Sequence, residues 1–67
     1  MKTLAKIAFI GYLVSHADAN AAAAEIRRAR ANNNFFYLPF AIAKYNALIN
    51  ETSAYLAAYK LAKSLNI

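Results

Sequence analysis

The stretch Ala29–Phe40, ARANNNFFYLPF, decides the fold. It runs three asparagines into two phenylalanines, a tyrosine, a leucine and the chain's one proline. Asparagine tolerates the left-handed conformation that ends a helix, so Asn32–Asn34 read as a stop. Proline suits the first helical position, where its missing N–H is not needed. It also pushes the residue before it, Leu38, out of the α region. One helix should therefore end near residue 32, a connection should cover 33–38, and a second helix should start at Pro39. With Leu38 as N-cap, Tyr37 and Ile42 take the N′ and N4 positions of a hydrophobic staple. Phe35 and Phe36 are left over, one expected to cap the hairpin core and the other to face a partner.

Helix is the only regular structure the flanks support. Glycine and proline occur once each, and no segment alternates for long with period 2. Upstream, Ile7, Ile10, Val14, Ala17, Ala21, Ala24 and Ala31 recur at spacings of three and four and predict one buried face. Ser15-His16-Ala17-Asp18 matches a capping box. With Gly11 it marks an alternative break near Ser15 that would give three helices. A continuous or gently kinked helix over about 3–32 is favoured, because four-residue capping patterns arise often by chance. Downstream, a helix over about 39–65 presents Ile42, Tyr45, Leu48, Ile49, Thr52, Tyr55, Leu56, Tyr59 and Ala62 on its main face. Two such helices with a short connection form an all-α antiparallel hairpin, a single domain over residues 1–67. Alanines at 17, 21 and 24 and at 43, 47, 54 and 58 predict a small-residue seam along which the backbones approach.

Composition narrows the function classes. The 67 residues contain no cysteine, which removes disulfides and thiolate metal sites. Hydrophobic residues make up 61% of the chain, which excludes a disordered tail. Many of them are alanine, so the core is thin, and two helices cannot cover both an alanine face and a Tyr/Leu/Ile face. Some apolar surface should remain for another copy or another protein. Eight basic residues against three acidic ones give a net charge of +5, a balance that favours phosphates, anionic lipid or an acidic protein. There is no run of about 20 apolar residues to cross a bilayer. Read as a leader, MKTLAKIAFIGYLVSHADA offers Lys2 and Lys6, a short apolar stretch and an Ala17-Asp18-Ala19 cleavage pattern. That stretch is short and contains Gly11 and Tyr12, so residues 1–19 are expected to stay as part of the first helix.

No catalytic, metal or cofactor constellation appears. His16 and Asp18 are two positions apart and point in different directions on a helix. Glu25 stands three before Arg28, an ordinary helix-surface pair. Asn50-Glu51-Thr52 matches a glycosylation acceptor but falls inside a helix. Arg27, Arg28 and Arg30 form one basic cluster beside the aromatic corner, and guanidiniums near aromatics can hold phosphates or stack on bases. Lys2, Lys6, Lys60 and Lys63 should form a second basic patch where the chain ends meet.

These features predict a small non-enzymatic protein that binds a macromolecular partner, as an accessory subunit or a regulator, cytoplasmic or part of a larger assembly. The expected contact residues are Arg27, Arg28, Arg30, Phe35, Phe36 and the exposed parts of Tyr45, Tyr55 and Tyr59. In length, alanine content and lack of chemistry the chain resembles small phage-encoded proteins and accessory subunits. One alternative is a secreted cationic amphipathic peptide active on membranes, the 48 residues after a leader resembling a bacteriocin in composition. A second is nucleic-acid binding through Arg27, Arg28 and Arg30.

Overall fold

The computed structural model describes residues 2–67 and shows an all-α helical hairpin. Helix α1 spans Thr3–Ala31 and α2 spans Leu38–Leu65. Alanine, leucine, lysine and arginine dominate α1, all strong helix formers, and it runs unbroken through Ser15. Ser15 does not cap a new helix there. It is buried against α2, where a small side chain lets the two backbones close.

The packed face of α1 is not the predicted one. Ala5, Ala8, Ser15, Ala19, Ala22 and Ala29 are buried, and half-buried Tyr12 and Ile26 fill the gaps between them. These positions alternate three and four apart, a period of about 3.5, which is the repeat of a left-handed two-helix seam. Ile7, Ile10 and Val14 point outward instead, with Ile7 58% exposed. On α2 the seam is Leu38, Ala41, Tyr45, Leu48, Thr52, Tyr55, Tyr59 and Ala62, close to the expected main face. Ile42 and Ile49 lie at its margin, and the alanines at 43, 47, 54 and 58 are exposed, so no alanine-on-alanine seam forms. Small residues of α1 meet large ones of α2, the arrangement that fills the space between two helices most evenly.

Gly11 shows this most sharply. It is not a weak point in α1 but the seat of the Tyr55 ring. A Cβ added there would lie 2.5 Å from Cδ1 and 2.8 Å from Cζ of Tyr55, inside any normal contact. The hydroxyl of Thr52, also in the seam, donates to the Leu48 carbonyl at 2.7 Å. The Asn50-Glu51-Thr52 tripeptide is therefore helix interior.

Both helices stop in the same way. Asn33 takes φ 54°, its N–H donates to the Arg30 carbonyl at 3.2 Å, and the Asn34 N–H donates to the Ala29 carbonyl at 2.8 Å. Asn66 takes φ 58° and the equivalent bonds run to Lys63 and Ala62. This is a Schellman stop with asparagine in place of glycine. At the open end, the Ala5 N–H donates to the Ile67 oxygen at 3.1 Å, bringing the two chain ends together.

The start of α2 differs from expectation. Leu38 is helical and Tyr37, with φ −82° and ψ −29°, already has α geometry. The chain begins to turn at Asn34, whose carbonyl accepts from the Leu38 N–H and whose Oδ1 accepts from the Tyr37 N–H at 3.2 Å. That side-chain bond is the one an N-cap makes. Asn34 thus stops one helix and primes the next. The Tyr37/Ile42 staple does not form, because Tyr37 lies one turn further into the winding than the staple requires.

Candidate interaction surfaces

The corner carries its aromatics on the outside. Phe35 is 68% and Phe36 93% exposed, and Phe40 is exposed as well. Neither Phe35 nor Phe36 caps the core: both rings stand in solvent, and the seam closes at this end on Ala29 and Leu38. Tyr37 folds back instead. Its hydroxyl donates to Glu25 Oε2 at 2.8 Å, and Lys44 Nζ lies 3.6 Å from Glu25 Oε1. Glu25 therefore pairs across the hairpin with Lys44 rather than along its own helix with Arg28. The Tyr37 hydrogen bond, then the Lys44 and Arg28 charges, hold the Glu25 carboxyl below its ordinary range. The same bond raises the Tyr37 hydroxyl above its ordinary value. Arg28 lines a small groove of about 270 Å³ beside this cluster.

The three arginines do not share one helix face. All are exposed, but Arg27 and Arg30 lie about 60° apart on the helix while Arg28 is about 100° or more from each. The three tyrosines are half-buried in the seam. Tyr59 packs on Phe9 with ring centroids 5.2 Å apart, and Lys63 Nζ stands 5.8 Å from its ring centre. Phe9 stacks on Tyr12, and Tyr12 on exposed His16, extending an aromatic row along that side. Tyr59 lines an open groove together with Lys2, Lys63 and Asn66, and Tyr55 lines a separate, apolar one. This groove, of about 350 Å³, is walled by Leu4, Ile7, Tyr55, Ala58, Leu61 and Ile67.

The seam divides the hairpin into two broad faces. Residues seven apart share a side in a 3.5 repeat. Leu4, Gly11, Asp18 and Glu25 thus stand in one row, and Lys44, Glu51, Ala58 and Leu65 in the facing row. All three acids lie on this groove face, with Arg28 and Lys44 as its bases. Lys2, Lys6, Arg27, Arg30, Lys60 and Lys63 fall on the reverse, which Phe9, Tyr59 and Lys63 mark. Formal charge is about −1 on the groove face and about +6 on the lysine face.

Sequence reasoning missed the groove because it placed Ile7 and Val14 inside. The signal was present: a stripe of small residues at a 3.5 period runs beside the bulky one. Among the described residues no helix is long and apolar enough to cross a membrane. The chain matches no protein-family model, no curated protein and no solved structure.

Proposed function

We propose that this chain is a small non-enzymatic protein that acts by binding a macromolecular partner, as an accessory subunit of an assembly or a regulator that occupies a partner's surface. One observation carries the reading. The bulky apolar side chains of α1 and the corner, from Leu4 through Val14 and at Phe35, Phe36 and Phe40, face outward while alanine fills the seam. Exposed apolar surface of this extent marks interaction sites in small proteins. The lysine face adds a preference for an acidic partner. Its six bases lie along one side of a rod 48 Å long, so a partner surface with spaced carboxylates fits better than a single anion.

The test is capture from the native host with the wild-type chain and with a Phe35→Ala/Phe36→Ala/Arg30→Ala variant. All three side chains are exposed, so the hairpin should still fold. The reading expects a protein that the wild type retains and the variant loses. A wild type that captures nothing and is monomeric refutes it. Retention of nucleic acid or lipid instead of protein assigns the binding to those partners.

A further inference from the structure

We infer that the open-end half of the groove face is where a second copy of this chain packs, two hairpins closing face to face into a four-helix bundle about a two-fold axis. The inference refines the binding reading above and rests on it.

The first support is area. A folded monomer of 7.4 kDa exposes about 4,200 Å² by the usual scaling with mass. This hairpin exposes 4856 Å², an excess of about 650 Å², which is close to the ~800 Å² each partner gives to a standard stable interface. A two-helix rod has no second layer, and domains are built from at least two. A second hairpin supplies it.

The second support is charge. Between residues 3–14 of α1 and 54–67 of α2 the groove face carries no charged side chain at all. The chain's +5 therefore does not oppose pairing through this half, because its basic residues lie on the reverse or at the corner. Asp18 and Glu51 mark where the uncharged patch stops. The same distribution argues against a bilayer as occupant. A peripheral amphipathic element needs its lysines at the rim of its apolar face, and here Lys2, Lys6, Lys60 and Lys63 are on the far side.

The third support is shape. The patch pairs a groove with knobs of matching chemistry. Ile7 and Leu61, at 58% and 60% exposed, stand at its edges, and exposed Ala58 between them leaves room for a partner's side chain. A two-fold axis lets each copy insert a knob into the other's groove, and such an isologous contact closes at two copies.

The experiment is sedimentation equilibrium on the full chain across about 1–500 μM, a range that spans typical homodimer affinities, with wild type, Ile7→Glu, Leu61→Glu and Leu13→Glu compared. Circular dichroism on each confirms retained helix. The inference expects a wild-type species of twice 7.4 kDa, at least a tenfold weaker association for Ile7→Glu and for Leu61→Glu, and no change for Leu13→Glu on the lysine face. A wild type that stays monomeric at the highest concentration overturns it. So does a dimer that Leu13→Glu breaks and Ile7→Glu does not, or a monomer that floats with vesicles of one-quarter anionic lipid. A monomer that still captures a protein through Phe35 and Phe36 overturns self-pairing and leaves the binding reading standing.

Discussion

Gly11→Ala tests the seam at its tightest point, because two effects of opposite sign meet there. Alanine is a better helix residue than glycine by about 0.8–1 kcal/mol in a helix interior. In an isolated α1 the substitution would stabilise by that amount. In the hairpin the new methyl lands 2.5–2.8 Å from carbons of the Tyr55 ring, whereas carbon atoms in good contact sit about 3.5–4.0 Å apart. The ring must move outward by about 1 Å or more, and it is braced by α1 on one side. Overpacking of this kind costs about 1–3 kcal/mol. The net expectation is a loss of about 1 kcal/mol, which for a domain of this size lowers the melting temperature by about 4–8 °C. With Tyr55→Ala the obstacle disappears and only the helix effect remains. In that background Gly11→Ala should stabilise by about 1 kcal/mol, giving a coupling of about 2 kcal/mol, within the range for touching residues. The assay is urea unfolding followed at 222 nm for the four proteins, at one fixed protein concentration because pairing of copies would shift every midpoint. If Gly11→Ala has the same sign and size in both backgrounds, the Tyr55 ring does not rest on Gly11 and the seam is drawn wrongly.

Three further outcomes follow from the geometry. Ala22, 1% exposed in the seam, should not accept leucine: Ala22→Leu is expected to lose about 1–3 kcal/mol to overpacking, while Ala17→Leu on the outer side of α1 changes stability by less than about 0.5 kcal/mol, both read by urea unfolding. Asn33 holds φ 54°, a conformation asparagine tolerates better than alanine because its short amide hydrogen-bonds locally, so Asn33→Ala should cost up to about 1 kcal/mol, and Asn33→Gly, with no Cβ penalty, should match or exceed the wild-type melting temperature. Glu25 has a lowered carboxyl pKa, so its contribution is present above the ordinary value of 4.5 and is lost as pH falls through the folded value. Tyr37 has a raised one, so its contribution is present below 10.0 and is lost as pH rises through its folded value. Tyr37→Phe removes the tyrosine's contribution outright and the largest cause of Glu25's, while the Lys44 and Arg28 charges keep the rest, so urea midpoints across pH should flatten at the alkaline end and become shallower at the acid end; a variant with wild-type slopes at both ends would show that the bond does not form.

The hairpin was legible because its signals are local. Asn33 was readable as a stop from residue type alone, since the left-handed region selects for it. The second helix was readable from the apolar spacing of Tyr45 through Ala62. The packed face of α1 was not, because alanine sits comfortably both in a seam and in water. The bulky stripe at Ile7, Ile10 and Val14 then outweighed the small one at Ala5, Ala8 and Ser15 in any hydrophobicity count. Gly11 read as a breaker because helix propensity is a property of one residue. Its real partner, Tyr55, stands 44 positions away. Arg28 reads as the partner of Glu25 for the same reason, as a neighbour three residues off, when Lys44 and Tyr37 reach it only once the chain has turned. The corner aromatics read from sequence as a candidate surface, but the turn at Asn34 does not, because proline's bias against a helical Leu38 is outweighed by a winding that begins earlier.

The charge partition joins the two proposals and separates them by experiment. If two copies meet through their uncharged open ends, the lysine faces point away from each other and the bundle presents a positive surface on both outer sides. Pairing then leaves the basic residues free for an acidic partner and removes from water the apolar patch that would otherwise compete for it. The two contacts should respond to salt in opposite ways. At about 0.15 M ionic strength the screening length is near 8 Å, and at 1 M about 3 Å, so contacts made by the exposed lysine face weaken steeply across that range. The groove patch carries no charge to screen, and salts excluded from protein surface strengthen apolar burial. A single titration with sodium sulfate, read by sedimentation in the presence of the captured partner, should therefore strip the partner while the dimer persists or tightens. Simultaneous loss of both would mean that the copies are held by charge, which the groove face does not supply.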